Sequence, residues 1–238
     1  MKILLLVGFF ESFLFPRSVL HEADFNPAQL RDSRYELILG TEVRYELSAL
    51  RTYYVRSQVN TYSIGLASFG NELYRENFLE FGFGFPLGEK YSAGINIAGL
   101  NSWVRDVSNE FTYAIKAGGR FESAPFAVGI WINNLNVPRI SSLDYSPISY
   151  SLCVDYRARG NLDFCLSVSG VETELPFYRF GIIFAPHKIS LLSLGVNTKP
   201  MMIEYGLKVA FGKMFVCYSG NRHRQLGLTH NLGLGFSQ

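Results

Sequence analysis

The sequence predicts an all-β protein, a single closed antiparallel transmembrane β-barrel of about fourteen strands. Three observations predict it. Apolar and small residues alternate with period two on nearly every segment from Tyr35 onward, the pattern of strands with one greasy face. The segments run to roughly nine to twelve residues, the length a tilted strand needs to cross a bilayer. Charge is scarce: 18% of the 238 residues are charged and 15% are aromatic, including 20 Phe and 14 Tyr. A soluble domain carries charge over about a quarter or more of its surface, so the apolar faces need a solvent other than water.

The N-terminus comes first. Lys2 precedes the apolar run Ile3 to Phe10, which Glu11 interrupts. This reads as a secretory signal peptide over residues 1–20, cleaved between Pro16 and Ala23 and too short to span a membrane. Residues 21–33 form a short periplasmic or plug segment with a turn at Asn26, Pro27 and Ala28, and residues 34–238 form the barrel. Beyond Phe15 there is no run of about 18 apolar residues, so no spanning helix is expected.

The first strand starts near Arg34, with Tyr35, Leu37, Leu39 and Val43 against Glu36, Gly40 and Glu42. Strands near Leu50–Arg56 and Thr61–Phe69 follow. The clearest unit is Phe78–Ile97, where Leu79, Phe81, Phe83 and Phe85 lead through a Pro86–Lys90 reversal to Tyr91, Ala93, Ile95 and Ile97. Its other face is Gly, Ala, Ser and Asn, which suits a crowded interior. Further strands carry Phe111 to Phe121, Phe126 to Ile132, Ile148 to Tyr156 and Leu162 to Val168; four more lie between Phe177 and Ser219. The chain closes with Leu226, Leu228, Leu232, Leu234 and Phe236 against Gly227, Asn231, Gly233 and Gly235.

An even strand count puts both ends on one side. The connections on that side, at Pro86–Lys90, Glu122–Pro125, Ala158–Asn161, Pro186–Lys188 and Gly212–Lys213, are tight. The alternate ones, Gly70–Arg75, Asn101–Asn109, Asn133–Pro147 and Gly220–Arg224, are mostly longer and polar. That asymmetry is the habit of bacterial outer-membrane barrels, whose partners are outer-membrane lipid and the barrel-assembly machinery. The competing reading is a secreted soluble β-barrel or sandwich, which would place Lys, Glu and Thr on its second face.

The hairpin turn Ala158-Arg159-Gly160, centred on Arg159, sets Cys153 opposite Cys165 and Asp155 opposite Asp163, all facing inward. Directly opposed Cβ atoms lie roughly 4.5–5.5 Å apart, near disulfide reach; two thiols are expected. The lumen also receives Glu36, Glu42, Glu80, Lys116, Arg120, Arg157, Arg179, Glu204 and Lys208. Their mixed signs predict internal ion pairs, and the many inward glycines predict some void, which holds either a ligand or the segment from about Val19 to Ser33 folded inward. The Asn133–Pro147 loop carries Leu135, Val137, Ile140, Leu143 and Tyr145, and the neighbouring loop adds Leu100, Trp103 and Val104. These apolar residues form either a mouth through which hydrophobic molecules enter or a lid packed over it.

Several function classes fall away. A net charge of +2 without a basic stripe gives no case for nucleic acid. Three cysteines and four histidines lack metal-site spacing, and no cofactor motif is present. Catalysis needs a nucleophile beside a base. His21, His187, His223 and His230 are scattered, His230 on the lipid face, so no enzyme is expected.

Asn26-Pro27-Ala28 ahead of the first strand, the strand count and the ending Asn231-Leu232-Gly233-Leu234-Gly235-Phe236 resemble the FadL-type outer-membrane transport proteins and the related PorV and PorQ proteins of the type IX secretion system. Two departures accompany the likeness. The segment before the first strand is shorter than the FadL hatch, and Ser237-Gln238 displace the usual final aromatic. The resemblance implies a conduit for small hydrophobic compounds or, alternatively, a shuttle component that receives a secreted protein.

Overall fold

The computed structural model describes residues 26–30, 35–138, 146–158, 161–172, 174–199 and 201–238. The expected signal peptide, the mouth residues Ile140, Leu143 and Tyr145, and the turn residues Arg159 and Gly160 lie outside the described residues.

Fourteen strands are described: β1 (Tyr35–Val43), β2 (Arg51–Val59), β3 (Tyr62–Gly70), β4 (Tyr74–Pro86), β5 (Tyr91–Val104), β6 (Ser108–Ser123), β7 (Phe126–Asn133), β8 (Ser149–Arg157), β9 (Leu162–Val171), β10 (Phe177–His187), β11 (Ser190–Thr198), β12 (Met201–Phe211), β13 (Met214–His223) and β14 (Gly227–Ser237). Each pairs antiparallel with its sequence neighbours, and β14 returns to β1 from Glu36↔Ser237 to Val43↔His230, closing the barrel. Closure leaves no strand without a partner on either side, which a strand surrounded by hydrocarbon requires. A sandwich is therefore excluded. Leu37, Leu39, Phe81, Ile97, Leu194, Leu232 and Leu234 all stand exposed on the outer surface, an apolar band of the kind lipid solvates. Among the described residues no helix is long and apolar enough to cross a membrane, and the strands make any crossing.

One end of the barrel carries the C-terminus and the tight turns; we call it the terminal end and the other the loop end. The wall is uneven in height. β4, β5 and β6 have 13, 14 and 16 residues, whereas β7 and β8 have 8 and 9. Toward the loop end β6 pairs with β7 only as far as Ala117↔Ile132. Beyond it the chain leaving β7 follows the β6 edge irregularly. Leu135 N–H donates to Ile115 C=O (3.0 Å), the Asn136 side chain donates to Tyr113 C=O (2.7 Å), and Asn136 accepts from Ile115 N–H (2.9 Å).

Three sequence expectations are corrected here. Residues 101–109 are not a loop, because β5 and β6 go on pairing to Val104↔Ser108 and leave only 105–107 at the tip. The polar run Asn101, Ser102, Asn109 and Glu110 had masked the alternation. The β13–β14 connection shortens in the same way, with Gly220 paired to His230 inside the sheet. In the β8–β9 hairpin, Cys165 opposes Asp155, Ser167 opposes Cys153 and Asp163 opposes Arg157. The hairpin is centred one residue later than Arg159, which moves every expected pair by two. Parity survives such a shift, so both cysteines remain inside and buried.

Candidate functional site

The interior has three parts. At the terminal end, the segment Asn26–Leu30 lies inside the barrel against β4, β5 and β6. Asn26 caps a single 3-10 turn, accepting from Ala28 N–H at 3.0 Å and donating to Gly119 C=O on β6 at 2.9 Å. Ser92 Oγ donates to Ala28 C=O at 2.7 Å. The wall beneath is glycine because nothing larger fits: a Cβ on Gly94 would lie 2.2 Å from the Pro27 carbonyl carbon, and one on Gly118 2.1 Å from Asn26 Oδ1. Asn26 and Ala28 are wholly buried. These glycines therefore hold a plug: of the two occupants the sequence left open for the space over them, the segment ahead of the first strand is the one that fills it.

The second part is a set of ion pairs, most of them between strands. Arg56 on β2 donates to Glu80 on β4, whose carboxylate also feels Lys116 on β6. Arg179 Nε on β10 donates to Glu204 Oε2 on β12 at 2.8 Å. Arg120 lies 3.6 Å from Asp155 and 3.7 Å from Glu122, and Arg157 meets Glu122 at 2.9 Å. Lys208 Nζ lies 3.7 Å from Glu36 and 3.8 Å above the Phe215 ring centre. Asp163 sits opposite Arg157 in register. At the loop end Arg44 Nε reaches Glu42 at 2.6 Å. Pairing is how a lumen holds so much charge away from bulk water, and alternating signs do not form a selective ring.

The third part went unread in the sequence. Ile38, Tyr54, Ala67, Phe69, Phe78, Ala98, Leu100, Phe215 and Cys217 form one buried apolar cluster inside the barrel, with Leu50, Tyr74, Leu191 and Ala210 packed against it. Its core follows a single hydrogen-bonding row: Leu100↔Phe78, Phe78↔Ala67, Ala67↔Tyr54, Tyr54↔Gly40, Gly40↔Gly233, Gly233↔Cys217, Cys217↔Lys208 and Lys208↔Leu191. Leu100 is near the loop end of β5, and Leu191 is beside the terminal-end turn of β11. Barrel strands tilt, so one row descends through the lumen from end to end. The signal was available: Phe78 and Leu100 fall on the parity opposite to Leu79, Phe81, Ile95 and Ile97. A large apolar residue out of phase in a membrane strand points inward.

The expected mouth is altered. Trp103 sits on β5 opposite Asn109 and shares the parity of Ile95 and Ile97, which face outward; it belongs to the outer wall and lines no mouth. Leu100, expected in a loop, is 1% exposed in the lumen. Leu135 and Val137 are exposed at the step in the wall. The base of their loop is tied by Asn134, whose amide donates to Ser146 Oγ at 2.7 Å and Pro147 C=O at 2.9 Å. His230 does face outward, as the alternation required, at the loop end of β14. There Tyr218 Oη meets Nδ1 at 2.7 Å and Glu46 lies 3.9 Å from Nε2, which satisfies the ring at the rim.

Known structures with this architecture are numerous. The CymD monoaromatic hydrocarbon channel aligns with a TM-score of 0.60 at 12% identity, covering 90% of each chain. The Ralstonia pickettii toluene transporter TbuX gives 0.58 at 8% identity over 90% of this chain and 91% of its own. A Pseudomonas aeruginosa FadL homologue gives 0.57 at 11% identity over 94% of both. The chain shares its fold with the FadL-type outer-membrane barrels. No protein-family model matches the sequence, and no curated protein matches it. The named FadL-type neighbours are channels and transporters, which lends no support to the secretion-shuttle expectation.

Proposed function

We propose that the protein is a bacterial outer-membrane conduit for small hydrophobic compounds, with the loop end outside and the terminal end in the periplasm. The apolar row from Leu100 to Leu191 carries this reading. A lumen meant only to be filled could use ion pairs and glycine throughout, as the rest of this one does. An apolar strip that runs from Leu100 through Phe78, Ala67 and Tyr54 to Cys217, with Lys208 as its one charged member before Leu191, instead gives a greasy solute an apolar surface over most of the depth. The compounds enter beside Leu135 and Val137, where the wall steps down and an irregular segment replaces a strand. The CymD and TbuX fold neighbours are a monoaromatic hydrocarbon channel and a toluene transporter, which supports small aromatic hydrocarbons as the compounds.

The test is uptake of a labelled monoaromatic hydrocarbon by cells making the protein. Leu100→Gln places an amide in the strip, where an unpartnered polar group costs about 1–3 kcal/mol, so uptake should drop roughly tenfold while the folded barrel keeps its heat-modifiable gel mobility. Leu135→Ser with Val137→Ser should slow uptake without touching the strip. Protein-independent uptake would reject transport; equal uptake by wild type and Leu100→Gln would reject this path.

A further inference from the structure

We propose that the β8–β9 hairpin carries a thiophilic metal site in the lumen, formed by Cys153, Cys165 and Asp155 and taking a divalent ion of the zinc class. Cys153 and Asp155 are two residues apart on β8 and so leave the same face, while Cys165 projects from β9 directly opposite Asp155. The two-residue register shift described above creates this triangle. With the register centred on Arg159, the cysteines would face each other and Asp155 would face Asp163. As it is, the sulfurs are 3.5 Å apart, Cys153 Sγ is 3.2 Å from Asp155 Oδ1, and one donor atom from each residue lies within 4.8 Å of the other two.

The chemistry matches the geometry. Zn–S bonds of about 2.3 Å in a tetrahedron put two sulfurs about 3.8 Å apart, a few tenths of an ångström from the observed spacing. A disulfide needs about 2.05 Å, far from it. Thiolates select soft and borderline metals over calcium and magnesium, which want oxygen. Charge also balances. Two thiolates and a carboxylate around a divalent ion leave one net negative charge, and the Arg120 guanidinium 3.6 Å from Asp155 Oδ2 offsets it. Trp131 on β7 packs with both cysteines, excluding water from the sulfur side, and Asp155 is the less buried of the three. Three protein donors leave the fourth position of a tetrahedron to water. Binding is an exchange in which each thiol gives up its proton: the divalent ion enters, two S–H bonds break, two metal–sulfur bonds form and two protons leave to solvent.

Cadmium is the probe, added to the reduced, detergent-folded protein. We expect one cadmium per chain, a sulfur-to-cadmium charge-transfer band in the ultraviolet, and two protons released per ion. Cys153→Ser and Cys165→Ser should each abolish the band. Asp155→Asn should weaken binding at least tenfold with the band retained. Cys217→Ser should change nothing, since Cys217 lies in the apolar strip with its thiol 3.5 Å from Gly233 C=O. If a serine variant does not fold, the proton count on wild type decides. Folded, reduced wild-type protein that gives no band, binding that releases no protons, or a band that persists in Cys153→Ser would each overturn the site.

Discussion

The inner faces of β4–β7 and of β13–β14–β1 are both rich in glycine, yet they are filled from opposite directions. On the first, Gly84, Gly94 and Gly118 lie under backbone and side chain of the Asn26–Leu30 segment, which comes from outside the sheet. On the second, the space over Gly235 and Gly40 is taken by the sheet's own Phe215 and Tyr54. The difference lies in what can yield. A plug that meets a glycine through its backbone cannot give way, whereas a ring tip can swing. Identical residue types thus mark a docking seat in one region and a packing partner in the other.

Substitution at the two faces should separate them, and the largest effect belongs to the seat. Gly94→Leu, with a Cβ 2.2 Å from Pro27 backbone, should expel the segment while the barrel stays closed. Leu30→Cys, buried in the parent, would then react with a membrane-impermeant maleimide more than tenfold faster, a shift of over about 1.4 kcal/mol; an unchanged rate would mean that the segment does not occupy the seat. Gly235→Val comes next. The three atoms nearest its Cβ all belong to the tip of the Phe215 ring, the first at 2.0 Å, so the ring must shift and the cost is the usual overpacking, about 1–3 kcal/mol in urea unfolding, with Leu30→Cys still protected. Exposure of Leu30→Cys by this variant would merge the two faces into one. The smallest effect is Asn26→Ala, which removes the bonds to Ala28 N–H and Gly119 C=O and should cost the plug alone about 1 kcal/mol, read as a few-fold gain in the same labelling rate.

The barrel was legible because period-two alternation against lipid leaves a trace on every strand, and Leu79–Phe85 with Tyr91–Ile97 displays it without interruption. Strand ends were less so. Near the rim the outward residues turn polar, and Asn101 and Asn109 read as loop although they are paired within β5 and β6. Register across the β8–β9 turn depends on how many residues the reversal uses, which hydrophobicity does not encode. The interior was hardest. A glycine looks the same whether it faces Pro27, a ring or empty space, so the sequence left open whether a ligand or the segment ahead of the first strand fills the space, and it did not show that aromatic rings fill the rest. The inward strip of Phe78, Leu100 and Phe215 was present as phase errors in the alternation, which a pattern search discards as noise.

Closure of the barrel through β1 and β14 has one further consequence, concerning time. The pairing Val43↔His230 joins opposite ends of the described chain, and contacts so distant in sequence form late because of the chain entropy they must overcome. Asn26–Leu30 precedes β1 by only a few residues and is gripped by β4–β6, strands that pair with their sequence neighbours and so close far smaller loops than the seam does. The plug is thus positioned to seat while the sheet is still an open trough. Its grip on the middle strands would also hold the start of β1 near the place where β14 must arrive. The segment that fills part of the finished lumen would then act, during biogenesis, as the chaperone of its own seam.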